Sequence, residues 1–314
     1  MESDRPLGPL DCLISFPLST ESAPAMNAQA IPYASISDLC ERYDTLFIDA
    51  FGVLVHSSGA LPGAPALVSW LNETGKPYFI LTNDASKLPE ASAKRYQARG
   101  LKITPDIIVT SGSLIKGWFS RNELAGARCI VLGTPDTHQY VIDAGGEVVP
   151  PDTRTHVDVI VAGDDDGFDF QPAIDGTLSA LLRQVDAGRP PRLLLPNPDL
   201  IFPRGEDSYG FTSGAMALIL EAALATRYPG QPVPEFEKLG KPHAAIFEEG
   251  TRRAGGGRPV MIGDQLGTDI RGALDFGIDS ALIGTGISQI KDGSRFEDLK
   301  PTWILESLAL PSSR

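Results

Sequence analysis

Thr45-Leu-Phe-Ile-Asp-Ala-Phe-Gly-Val-Leu54 is the stretch on which the fold turns. Three apolar residues run without alternation into Asp49, and Gly52 then permits a tight turn. An unbroken apolar run this short suits a parallel strand buried on both faces, with a polar residue at its carboxyl end. Working outward, Ala64 to Glu73 reads as a helix closed by Gly75, and Pro77-Tyr-Phe-Ile-Leu-Thr82 repeats the buried-strand pattern. Pro89 to Arg99 reads as a helix, with Pro near its start and Gly100 after its end. Asp106-Ile-Ile-Val-Thr110 is expected as a third strand. Strand, helix, strand, helix, strand implies an α/β fold built on a doubly wound parallel sheet.

Further along, Cys129–Leu132, Val157–Ala162 and Arg192–Leu195 are expected strands, with helices over Thr137–Ala144, Pro172–Asp186 and Ser213–Thr226. Pro229-Gly-Gln-Pro-Val-Pro234 closes this block. A helix over Ala244–Ala254, the strand Pro259–Ile262, a helix around Asp269–Phe276 and the strand Ser280–Ile283 complete the pattern. Residues 1–30 are rich in Ser, Pro and Ala without a period and read as a disordered tail; Met26 offers a second possible start.

Composition narrows the partners. In 314 residues, 27 Lys and Arg stand against 40 Asp and Glu, a formal charge of −13. Nucleic acid and anionic membrane surfaces repel such a chain. No apolar run approaches a membrane span, and the short apolar stretch Leu10–Leu18 follows Glu2, Asp4 and a single basic residue, Arg5, where a secretory signal wants the opposite charge and a longer core. The three cysteines, Cys12, Cys40 and Cys129, are widely spaced, which is neither a disulfide framework nor a zinc pattern and suits a cytoplasmic protein.

In open α/β sheets ligands bind at the carboxyl ends of the strands. Asp49, Thr82 with Asn83, Lys241, and Asp264 with Asp269 all fall at or just beyond such ends. A carboxylate at 49 is a candidate nucleophile or metal ligand. The Thr82 hydroxyl and Asn83 amide are candidate donors to a phosphate, and Lys241 supplies a point charge for a dianion. Asp264 and Asp269 straddle a turn into a helix, where they can face one hard cation such as Mg²⁺. Taken singly, each is an ordinary turn or capping residue. Taken in order, they form a set that unrelated turns would not supply.

That ordered set resembles the haloacid dehalogenase superfamily. Asp49-Ala-Phe-Gly-Val-Leu54 resembles its first motif, Leu81-Thr-Asn83 its second, Gly240-Lys-Pro-His243 its third, and Gly263-Asp264 with Thr268-Asp269 its fourth. The long stretch between Thr82 and Lys241 resembles subclass IIA, in which a large α/β cap is inserted there; sugar-phosphate, p-nitrophenyl-phosphate and pyridoxal-phosphate phosphatases belong to it. Leu61-Pro-Gly-Ala64, Thr82-Asn-Asp-Ala-Ser-Lys87, Val109-Thr-Ser-Gly112 and Asn197-Pro-Asp199 with Pro203 extend the likeness. The resemblance implies a Rossmann-like core over 31–122 and 231–314 and a cap over 123–230. It implies a Mg²⁺-dependent phosphatase of small phosphorylated metabolites, with homodimers common in the subclass. Asp49 would be the nucleophile; Asp49, Asp264 and the carbonyl of Phe51 would hold Mg²⁺, with Asp269 supporting from behind. Thr82, Asn83 and Lys241 would hold the phosphoryl group.

One position departs from the family. Its first motif carries a second Asp two residues after the nucleophile, a general acid and base worth ~10²–10⁴-fold in rate. Here that residue is Phe51. Three readings stay open: a slow phosphatase with another group in the role, an enzyme for leaving groups of low pKa, or a weakly active relative that binds a phosphorylated ligand. C–halogen or C–P cleavage is a more distant option. Asp84 and His56 are the substitute acids to consider; His243 reads as the start of a helix. The acids of Asp164-Asp-Asp-Gly-Phe-Asp169 serve either as N-caps for the helix at Pro172 or as a specificity loop, and they disfavour polyanionic substrates. Asn197-Pro-Asp199 reads as a turn at the cap–core junction.

Overall fold

A computed structural model describes residues 31–205, 208–284 and 299–310. The expected tail over 1–30, with Cys12, lies outside them. Cys40 and Cys129 are buried free thiols. Among the described residues no helix is long and apolar enough to cross a membrane.

Seven parallel strands form the first sheet. Across it the order is Tyr33–Ala34, Trp303–Leu305, Asp279–Ile283, Pro259–Gly263, Thr45–Ile48, Tyr78–Thr82 and Ile108–Thr110. Alternate residues of each central strand point to opposite faces. Leu46, Ile48, Ile80 and Ile262 pack with helices Ile36–Arg42, Ala64–Thr74 and Pro89–Gln97. Phe47, Leu81, Val109 and Met261 pack with helices Ile115–Arg121, Ala244–Ala254 and Arg271–Phe276. Both faces are therefore covered, which is why these strands are apolar throughout. Leu46, Phe47 and Ile48 have no solvent exposure, and each such side chain contributes about 1.5–3 kcal/mol by burial.

A second sheet of five parallel strands is inserted between Ile108–Thr110 and Pro259–Gly263. Its order is Phe236–Lys238, Arg192–Leu195, Val159–Ala162, Arg128–Leu132 and Glu147–Val149. Cys129, Val131, Val159 and Leu194 face the layer shared with the first sheet. Ile130, Ile160, Leu193 and Leu195 face a separate core with helices Phe170–Asp186 and Ser213–Arg227.

Four local readings need correction. Asp106–Thr110 is not all strand: Pro105–Ile107 is a 3₁₀ turn and pairing starts at Ile108, because proline fixes φ and brings no N–H to a ladder. The helix around Asp269 begins as a π-turn, Leu266–Ile270, before Arg271–Phe276 becomes α-helical. The stretch 231–314 does not return at once to the first sheet, since Phe236–Lys238 pairs with Arg192–Leu195. The helix expected from Pro172 starts at Phe170, and Asp169 at its N-cap makes no side-chain capping bond. Two antiparallel hairpins, Val55–His56 with Gly59–Ala60 and Ile201–Gly205 with Ser208–Phe211, project from the sheet ends.

Candidate active site

The strand ends converge as the pattern requires. Pro259–Gly263 lies beside Thr45–Ile48, with Ile262 opposite Ile48, and the Asp49 N–H donates to the Ile262 carbonyl at 2.9 Å. Asp49 and Asp264 thus leave neighbouring strands side by side. Carboxylate oxygens of Asp49, Asp264 and Asp269 lie within 4.8 Å of one another, and all three residues are buried. Two glycines admit this crowding. A Cβ at Gly52, whose φ is +90°, would stand 2.4 Å from Asp264 Oδ2, and one at Gly263 would stand 2.2 Å from the Asp269 Cβ. Gly52→Ala should therefore cost about 1–3 kcal/mol in backbone strain and displace Asp264; thermal unfolding and activity together would show both losses.

Lys241 closes the cluster. Its Nζ lies 2.5 Å from Asp49 Oδ1, 2.8 Å from Asp269 Oδ1 and 2.9 Å from the Leu81 carbonyl. The oxygens of Asp49 and Leu81 accept hydrogen bonds from the ammonium, and Asp269 completes an ion pair with it. Burial alone would lower the lysine pKa, but the charges of Asp269 and Asp49 overcome it and hold the group above its ordinary range. Burial raises the Asp49 carboxyl above the usual carboxylate range; Lys241 opposes the shift and Asp269 adds to it. Three buried carboxylates thus crowd together beside a single ammonium. A hard divalent cation is the group this donor set fits.

Asp49, Phe51, Thr82, Asn83 and Lys241 line a single cavity of about 780 Å³. His56 and Asp84 also line it, and the sequence raised both. Asp84 Oδ1 accepts from the Ser86 N–H at 2.8 Å and the Ser86 hydroxyl at 2.7 Å, so it acts as a turn former. The His56 ring packs on Phe51, centroids 5.2 Å apart, and its Nδ1 lies 3.1 Å from the Ser57 hydroxyl. His243 sits at the N-cap of helix Ala244–Ala254, as its place in the sequence suggests.

Asn83 differs from expectation. Its Oδ1 accepts from the Lys241 N–H at 2.7 Å, and its Nδ2 donates to the Lys241 carbonyl at 3.0 Å and to Asp199 Oδ1 at 3.1 Å. Both N–H bonds of the amide are thereby taken. The Thr82 hydroxyl accepts from the Asp84 N–H at 3.3 Å and keeps its own proton to donate.

The second sheet supplies the opposite wall. Asp164, Asp165 and Asp166 line the cavity, so this acidic run faces the site. Burial and the neighbouring Asp165 push the Asp164 carboxyl up to about 7. A carboxyl raised on folding keeps its proton where the unfolded chain has released it, so its contribution to stability falls as pH rises from about 4 to 7. Asp164→Asn keeps the oxygen that accepts from the Asp166 N–H. The variant should match the wild type near pH 4 and gain about 1–2 kcal/mol, after solvent screening, by pH 8; urea melts at the two pH values check this. Sequence reasoning gave no site role to Arg95 and Arg99, which also line the cavity. Their spacing of four in the stretch Pro89–Arg99 that reads as one helix was the available signal, although the helix itself ends at Gln97.

Comparison with known proteins bears on the family. Residues 46–147 match the profile of haloacid dehalogenase-like hydrolases, and residues 238–310 match a second profile for such hydrolases. The acid sugar phosphatase of Staphylococcus aureus (strain MRSA252) is 26% identical over 270 residues, covering 85% of this chain and 96% of its own length. The structure of a p-nitrophenyl phosphatase from Archaeoglobus fulgidus shares the fold, with a TM-score of 0.71 at 24% identity over 85% of this chain and 97% of its own. A possible sugar phosphatase of the same superfamily from Cytophaga hutchinsonii superposes with a TM-score of 0.76 at 30% identity, over 90% of this chain and 99% of its own. Likeness of that extent, carried by motifs on both sides of the second sheet, places the chain in the haloacid dehalogenase superfamily of hydrolases.

Proposed function

We propose that the chain is a Mg²⁺-dependent phosphatase of small phosphorylated metabolites that works through a phosphorylated Asp49. The observation that carries the reading is Asp49 itself: a buried carboxylate on the cavity wall whose Oδ1 is pinned by Lys241, leaving Oδ2 to attack. The sugar phosphatase relatives support a hydrolase of phosphate monoesters. Asp49, Asp264 and the Phe51 carbonyl would hold the metal. When bound, Mg²⁺ supplies positive charge that offsets both the carboxylates and an incoming phosphate.

The chain's own groups do the rest. Asp49 Oδ2 forms a bond to phosphorus as the bond to the ester oxygen breaks, and that oxygen leaves with the electron pair. Thr82 donates its hydroxyl and Asn83 its N–H to the phosphoryl oxygens, while Lys241 fixes the rotamer of Asp49 and neutralises charge. Water then attacks phosphorus as its bond to Asp49 Oδ2 breaks, giving inorganic phosphate and the Asp49 carboxylate, and the proton that water gives up to solvent balances the one the leaving oxygen takes from it. Asp269 holds Lys241 in place, and its Oδ2 accepts from the Gln265 N–H at 3.1 Å. The acidic loop at 164–166 favours leaving groups rich in hydroxyls or bearing an amine.

Phe51 favours a second reading, a weakly active protein that binds a phosphorylated ligand. Its ring lies on the cavity wall where a carboxyl would protonate the leaving oxygen. Phosphate release from p-nitrophenyl phosphate and a panel of sugar and cofactor phosphates, with Mg²⁺ or EDTA, separates the two. The phosphatase reading expects Mg²⁺-dependent release; no release on any substrate overturns it. Mg²⁺ should also raise the melting temperature by mass action, and Asp264→Asn should lose that rise.

A further inference from the structure

The Asn197–Asp199 turn belongs to the second-sheet unit, yet it reaches the loop after the first sheet's Tyr78–Thr82 strand. It follows the Arg192–Leu195 strand and is tied down on its own side. The Asp199 N–H donates to Asn197 Oδ1 at 3.0 Å, Asn197 Nδ2 donates to Thr212 Oγ1 at 3.2 Å, and the Ser213 hydroxyl donates to the Asn197 carbonyl at 2.9 Å. The Gly214 N–H donates to the Asp199 carbonyl at 3.1 Å, and a Cβ at Gly214 would stand 2.4 Å from that oxygen. The turn is therefore a rigid extension of the helix Ser213–Arg227.

The route to Lys241 leaves the same sheet. Its last strand, Phe236–Lys238, runs through Leu239 and Gly240 into Lys241, and the Gly240 N–H donates to the Pro196 carbonyl at 2.8 Å. A Cβ at Gly240 would stand 2.5 Å from Asn83 Oδ1 and 2.7 Å from the Pro196 carbonyl, so the glycine is what lets three segments meet. At that meeting the Asn83 amide spans them. It takes both backbone polar groups of Lys241 and spends its remaining N–H on Asp199.

We propose that Asp199 is a positioning residue for Lys241, acting through the Asn83 amide, and that this relay ties the placement of the ammonium to the docking of the second-sheet turn. Only one of the two amide orientations lets Asn83 accept from the Lys241 N–H, and a carboxylate at 199 can pair only with the donor end. Asp199 thus selects the orientation that clamps Lys241. With the backbone of Lys241 held, its Nζ reaches Asp49 Oδ1. The effect on turnover rests on the phosphatase reading; the relay itself does not.

The test uses the full chain with Asp199→Ala, Asp199→Asn, Asn83→Ala and the double variant Asn83→Ala/Asp199→Ala. One readout is kcat and KM on p-nitrophenyl phosphate with Mg²⁺. The other is hydrogen exchange of the Lys241 amide, followed by NMR on lysine-labelled protein. Asp199→Ala should lower kcat on the order of tenfold with little change in KM and speed Lys241 amide exchange at least about fivefold. Asp199→Asn, which keeps an acceptor oxygen, should restore both. The double variant should be no worse than Asn83→Ala, because the two residues act in series. Unchanged exchange in Asp199→Ala, failure of Asp199→Asn to restore it, or losses that multiply in the double variant would each overturn the relay. Absence of turnover in the wild type would overturn the phosphatase reading alone, and amide exchange would still decide the relay.

Discussion

Asp49→Asn should reduce phosphate release at least ~10⁴-fold while making the metal-free protein more stable. The first effect follows from the proposed mechanism, because an amide oxygen is a poor nucleophile and cannot form the acyl phosphate on which its second half depends. The second follows from the charge imbalance. Asp49 shares a buried pocket with Asp264, Asp269 and one lysine, and burial already disfavours its ionised form. Asparagine keeps an oxygen that can meet Lys241 and removes one of three crowded negative charges, a gain of about 1–2 kcal/mol. Mg²⁺ should reverse the ranking, because the wild type would bind it more tightly than the variant does. Thermal melts with and without Mg²⁺, run beside the phosphate assay, check both halves. A variant that loses activity and stability together would indicate that Asp49 serves the fold rather than the chemistry.

Phe51→Asp is expected to act in the opposite direction. The backbone around residue 51 is held independently of its side chain, since the Gly52 N–H donates to the Val55 carbonyl at 2.9 Å and Phe51 bridges to Val55. The Phe51 ring packs on the His56 ring at the cavity wall. Aspartate is smaller, leaves the carbonyl in place and puts a proton donor beside the departing oxygen. Turnover of alkyl phosphates should rise by ~10²–10⁴-fold, the usual worth of general acid–base catalysis. Turnover of p-nitrophenyl phosphate should rise much less, because that leaving group needs little protonation. A plot of log kcat against leaving-group pKa should therefore be steep in the wild type and shallower in Phe51→Asp. Equal slopes would mean that another group already protonates the leaving oxygen.

Much of this was legible in the chain, and the reason is local. Thr45–Ile48, Tyr78–Thr82 and Pro259–Gly263 are buried on both faces, so their apolar runs stand out, and parallel topology then puts Asp49, Thr82 and Asp264 at one edge. The features that stayed hidden depend on other elements. The hairpin at Val55–His56 and Gly59–Ala60 is two residues per strand, too short for a period to register. Phe236–Lys238 carries one apolar residue in three and pairs only because Arg192–Leu195 offers an open edge. Asn83 reads as a phosphate ligand because it adjoins Thr82 at the end of a buried strand. What redirects its side chain is Lys241, 158 positions away, and Asp199, 116 positions away. The π-turn at Leu266–Ile270 is invisible for the same reason, since apolar periodicity does not distinguish a widened turn from an α-helical one.

The place of Thr45–Ile48 in the middle of the first sheet also governs when the site can exist. On one side it pairs with Tyr78–Thr82, made soon after it on the ribosome. On the other it pairs with Pro259–Gly263, where the Arg258 N–H donates to Asp44 Oδ2 across 214 positions. Closing so long a loop comes at a late, slow stage of folding. Until then the growing chain carries an unpaired strand edge at its centre, the kind of surface that chaperones occupy and that aggregates. Asp264 and Asp269 lie in the same late segment, so the nascent chain holds Asp49 long before it holds the acids beside it. A chain truncated before residue 259 would therefore present Asp49 without the two acids that stand beside it.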